Sequence, residues 1–234
     1  MSSTRVVFRK ELLELLSSRQ SVVTAVALSV FFGATYSLRV TANQPLAPDL
    51  SLGSIVFSLT MLIGVFLAYL NTNLVFIREK MDQVVETLLC SPAGLREIWL
   101  GKTLAVTLFA YLIALATGLL ASLVTSARMG TLTMPNGAVI AHLVSVLPLA
   151  IALLTGTLGF AQLLLGMREN RIISMALFIP LFAGIYGYGY SATGTMAIGW
   201  LQVGITAIIV IALLSVLAWG TRFLRREKVV TSLL

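Results

Sequence analysis

The chain has 234 residues, 58% of them hydrophobic and only 11% charged, with a mean hydropathy of +0.98. Soluble domains carry about 25% charged residues, so a soluble enzyme is excluded and an integral membrane protein is expected. A single cysteine, Cys90, and a single histidine, His142, exclude an internal disulfide framework and a His- or Cys-rich metal centre, and the net charge of +7 is too dispersed for a nucleic-acid surface.

The first element, within residues 4–19, contains VVFRKELLELLSS and reads as an amphipathic helix. Phe8, Leu12, Leu13, Leu15 and Leu16 share one face of a 3.6-residue wheel, and Lys10, Glu11, Glu14 and Ser17 share the other. Lys10 and Glu14 stand at pairing distance, i to i+4. Such a helix is expected to lie on membrane lipid with its apolar face at the acyl boundary, Lys10, Glu11, Leu12 and Leu16 marking the interface. Arg19-Gln20 interrupts the apolar run, which argues against a simple extension of the first span. The apolar run beyond it is long enough to span, so no cleavable signal peptide is expected.

Six apolar runs follow, at about residues 21–38, 52–77, 103–125, 139–166, 172–188 and 201–221. Each clears or approaches the roughly 17–25 residues a helix needs to cross the bilayer. An all-α, six-span membrane protein forming a single domain over 1–234 is expected. Of the 16 Lys and Arg residues, all but Arg39 and Arg128 fall on one side of this topology. The positive-inside rule then places both termini in the cytoplasm of a multi-pass cell-membrane protein.

The segment 78–102 between the second and third spans is the most structured cytoplasmic loop. Arg78, Glu79, Lys80 and Asp82 open it, then Val84, Val85, Leu88 and Leu89 recur at helical spacing with Glu86 opposite. Ser91-Pro92 closes this short helix and starts another, since Ser suits the N-cap and Pro the first helical position. Leu95, Ile98 and Trp99 carry the second helix into the membrane. The apolar residues of the first helix ask either for a protein partner or for a place on lipid headgroups.

Within this loop Gly101-Lys102-Thr103 has the look of a phosphate-binding loop. A P-loop needs a glycine five residues before Gly101, and Arg96 stands there, with the nearest upstream glycine at Gly94. A helix also precedes it where a buried strand is needed. Lys102 is therefore expected to anchor the third span at the membrane surface, snorkelling toward water. Cys90 is expected to be a small apolar residue of the loop.

No Asp, Glu, Lys or Arg falls inside the six runs, which argues against a proton-driven transporter. Asn71, Asn73, Gln162 and Gln202 are the conspicuous polar groups there; they either bond between helices or line a route for an amphipathic substrate, with Asn71, Asn73 and Gln162 as the candidates. GIYGYGYSATG, beginning at Gly184, lacks the Thr-Val of a potassium filter. His142 is expected at the outer interface, and Ser191 has no nucleophile motif to join it to.

The stretch FIREKMDQVVETLLCSPAGLREIWLGKTLA, residues 76–105, resembles the signature of type-2 ABC transporter permeases. The matching positions are Arg78-Glu79, Glu86-Thr87-Leu88-Leu89, Ser91-Pro92, Glu97-Ile98 and Leu100-Gly101-Lys102, with Val84-Val85 where that family often has Gly-Thr. Lys10-Glu11-Leu12 is similar to the start of its elbow helix. The resemblance implies a coupling segment carrying Arg78, Glu79, Asp82, Glu86, Leu88, Leu89, Ser91, Pro92, Leu95 and Glu97, docked on a separate ATP-binding subunit that holds the ATP and magnesium. It also implies a second permease copy or paralogue, most simply a homodimer, and a re-entrant outer hairpin at 189–200, where the glycines serve equally as turn residues. On this reading the chain has no cofactor and no catalytic residue of its own; the alternative is a polytopic membrane hydrolase working without an ATPase.

Overall fold

The computed structural model describes residues 3–41, 52–81, 94–129, 135–164 and 198–221, with isolated helical positions between 172 and 179. Every described element is a helix: α1 (Ser3–Ser17), α2 (Arg19–Thr41), α3 (Leu52–Met81), α4 (Leu95–Met129), α5 (Gly137–Ala141), a π-turn (His142–Val146), α6 (Leu147–Leu164) and α7 (Trp200–Gly220).

Among the described residues four helices are long and apolar enough to cross a membrane: Gly53–Arg78, Leu95–Ala127, Gly137–Leu164 and Trp200–Gly220. The bent pair of α1 and α2 makes a fifth if counted as one span. A membrane-embedded, multi-pass character follows from this. The expected fifth run, 172–188, and nearly all of the hairpin at 189–200 lie outside the described residues.

The chain turns by 68° between α1 and α2. Ser18 sits at the corner, where its Oγ accepts from the Ser21 N–H at 3.4 Å, as an N-cap side chain does. Ser17 donates its hydroxyl to the Glu14 carbonyl at 3.1 Å. Paired serines that compete for backbone groups are a recognised cause of sharp helix bends.

α4 is the hub, packing along α1, α2, α3 and α6. Pairings fix the directions: Gly118 meets Thr60, and Lys102 meets Phe76, so α3 and α4 run antiparallel. Gly64 meets Ile151 and Gly159 meets Phe76, so α6 runs parallel to α3. One core of Leu59, Ile63, Leu67, Phe109, Ile151 and Leu158 joins these three helices, and Leu15 of α1 and Ala25 of α2 complete it. α7 stands apart: 11% of its most apolar window is buried, against 72% for α3.

Candidate functional site

α1 does not merely rest on an interface; it docks on the root of α4. Gly101 makes this possible. A Cβ there would stand 3.0 Å from the Thr4 carbonyl oxygen and 2.9 Å from the Val7 side chain, so only glycine lets the two backbones approach this closely. One residue on, Lys102 Nζ donates to Glu11 Oε1 at 3.1 Å. Lys102 is 2% exposed and Glu11 is also buried. The expected snorkelling anchor is thus corrected: the ammonium lies inside the protein because a carboxylate from α1 meets it there. Buried charges persist only when paired and hydrogen-bonded.

The pair extends into the bundle. The Lys102 Nζ lies 5.5 Å from the centroid of the Phe76 ring on α3, within cation–π range. That ring in turn fills the space over Gly159 of α6, where a Cβ would stand 2.7 Å from its edge. Glu11, Lys102, Phe76 and Gly159 therefore tie four helices at one level. Close by, the Trp99 indole N–H donates to the Gly156 carbonyl at 3.2 Å, and Gln162 Nε2 donates to Asn73 Oδ1 at 2.5 Å.

The wheel assigned Glu11 to the polar face and Leu13 and Leu16 to a face at the acyl boundary; the structure buries Glu11 against α4 and leaves Leu13 and Leu16 on the outside of the bundle. Leu16 is 54% exposed and Leu13 is similarly open, while Glu11 and Leu15 are buried. Leu12 is half-buried against the core. Lys10 lies on the exposed side and reaches its neighbour Glu11 at 3.4 Å.

Of the expected coupling residues, Arg78 is exposed at the end of α3, and Glu79 belongs to the same helix. Leu95 is half-buried at the start of α4. Glu97 caps that helix: its Oε2 accepts from the Gly94 N–H at 3.2 Å while its own N–H donates to the Gly94 carbonyl at 2.9 Å. This is the glutamate half of a capping box, the glycine offering its carbonyl where a Ser or Thr side chain would accept. Asp82, Glu86, Leu88, Leu89, Ser91 and Pro92 lie outside the described residues.

Of the expected route-lining residues, Asn71 is buried and donates to the Leu67 carbonyl of its own helix at 2.8 Å. Asn73 and Gln162 bond to each other, which places them in the interhelical alternative weighed for them. His142 lies near the start of the span Gly137–Leu164, at the opposite end of the bundle, where the π-turn buries it fully among protein side chains. Phe76, Trp99 and Gly159 were passed over as ordinary apolar positions; the glycine and the aromatic each reveal their role only through the partner helix.

Among the described residues no group of three or more His, Cys, Asp or Glu is placed to hold a metal ion. The arrangement supplies mechanical connection between helices. Comparison with known families, with curated proteins and with solved structures gave no match to this chain.

Proposed function

We propose that the chain is the membrane-spanning subunit of an ABC-type exporter, moving an amphipathic or apolar molecule outward on ATP hydrolysis by a separate subunit. The observation that carries this reading is the pattern in residues 76–105, set between two overlong helices. α3 has 30 residues and α4 has 35, about 45 and 52 Å at 1.5 Å per residue, against roughly 30 Å of hydrocarbon. Both have length to tilt or to project beyond the bilayer at the end where 82–93 connects them. α1 braces that same end through Glu11 and Gly101.

In this reading Leu88 and Leu89 anchor in an apolar groove on the ATP-binding subunit, with Arg78, Glu79, Asp82 and Glu86 on the rim, since buried anchors carry most interface energy. Both termini face the cytoplasm, two copies assemble to enclose a route, and Gly101-Lys102-Thr103 holds helices together and binds no phosphate.

The test is affinity purification of the full chain from its native membrane. An ATP-binding subunit is expected to co-purify, and Leu88→Asp is expected to weaken that association by at least about tenfold, because a carboxylate in the groove is desolvated and unpaired. A chain that purifies alone and hydrolyses a peptide or lipid substrate overturns the reading.

A further inference from the structure

The π-turn His142–Val146 has a local cause. Pro148 has no N–H for the Val144 carbonyl, and its ring crowds that carbonyl. The helix widens instead, with the Leu147 N–H donating to the His142 carbonyl five residues back.

His142 is 0% exposed, and neither ring nitrogen has a hydrogen-bond partner among the described residues. Its ring lies against Phe57 with centroids 4.1 Å apart and planes at 42°. Phe57 belongs to an apolar cluster with Val139, Val146, Ile198 and Val203. An imidazole presents one donor and one acceptor, and leaving both unmade in such surroundings is unfavourable. If packing alone mattered, Phe or Leu would fill this space with no polar atom. A buried polar group left open in this way calls for an explanation beyond packing.

The covering element is the least anchored one described. α7 buries only Val203 and Val210, and a Cβ at Gly204 would meet nothing within 4 Å. One side chain ties its start to the helix carrying His142. Asn136 Nδ2 donates to the Ile198 carbonyl at 2.8 Å, while Asn136 Oδ1 accepts from the Val139 N–H at 3.1 Å. Elements with few buried contacts open at low cost.

We propose that His142 is an occluded ligand-contact residue. Movement of the start of α7 away from the π-turn exposes the imidazole beside Phe57, at the mouth of an apolar cleft. The chemistry there suits a molecule with a largely apolar body and one hydrogen-bonding group, such as a hydroxyl or amide. This names the substrate class for the transport reading and rests on it.

The chain has one histidine, so the N-carbethoxyimidazole product of diethyl pyrocarbonate, told apart from lysine and tyrosine adducts by its position in the chain, reports on this residue. With the full chain in native membrane vesicles, and the product located by mass spectrometry, modification is expected to be measurable but at least about tenfold slower than for a histidine peptide in solution. Saturating 1-naphthol should slow it by a further factor of about five to ten, the worth of one hydrogen bond, and naphthalene, which lacks the hydroxyl, by less than about twofold. Modification at the solution rate, none at all, or equal protection by both compounds overturns the proposal.

His142→Leu supplies a second readout on the purified chain. It should keep or raise the thermal midpoint and abolish the preference for 1-naphthol over naphthalene in binding, and His142→Gln should restore that preference. A lowered midpoint for His142→Leu makes the imidazole a structural core group and sinks the idea. Neither readout needs an ATPase, so this proposal and the transport reading fail separately.

Discussion

The two ends of the bundle use buried polar side chains differently. At one end Glu11 meets Lys102, Gln162 meets Asn73 and Trp99 meets a carbonyl of α6. At the other, His142 is enclosed by apolar side chains with neither nitrogen engaged among the described residues. The first end gains definition from these three contacts, because each fixes one helix against another, although the Thr103 and Thr107 hydroxyls there have no hydrogen-bond partner among the described residues. The second holds a polar group that its closed packing does not use, under the element with the smallest buried face. A bundle built this way is expected to be stiff at the Lys102 end and to yield at the His142 end.

Breaking the stiff end tests the contrast most severely. Lys102→Ala leaves the buried Glu11 to the more distant, exposed Lys10 and should cost up to about 3–5 kcal/mol, read by denaturation of the purified protein in detergent. The double change Glu11→Leu with Lys102→Met should recover most of that loss, because apolar replacement of both charges is often neutral or better. A single variant that loses nothing would mean the pair does not hold α1 to α4.

Gly101→Leu comes next. Its side chain has to displace the Thr4 carbonyl and Val7, and overpacking of this kind costs about 1–3 kcal/mol. Protease access to α1 should rise in parallel. Gln162→Leu is the mildest of the three. It removes one interhelical hydrogen bond, worth on average about 0.6 kcal/mol inside a membrane protein. If it proves as costly as Lys102→Ala, the hierarchy of contacts at this end is wrong.

Much of this architecture could be read from the chain alone. The second apolar run, 52–77, matches the span Gly53–Arg78, and the last, 201–221, matches α7 within a residue. The break at Arg19-Gln20 falls one residue from the corner at Ser18. What stayed hidden depended on partners distant in sequence. A helical wheel treats lipid as the only apolar neighbour, so it left Glu11 facing water; the docking surface for Glu11 begins at Gly101, far along the chain. His142 gave no sign of burial, although Pro148, six residues on, marks the helix as irregular there.

The length of chain between the two charges of the buried pair bears on how the protein is made. Glu11 and Lys102 are 91 positions apart. At about 5–20 residues per second of synthesis, the carboxylate exists for roughly 5–18 s before its lysine is added. During that interval α1 has only its own exposed Lys10 beside the carboxylate and lacks both the buried ammonium and the glycine it packs on, so its charge belongs in water or among headgroups. α1 is therefore made well before it can find its place, and it can dock only once the start of α4 has been added.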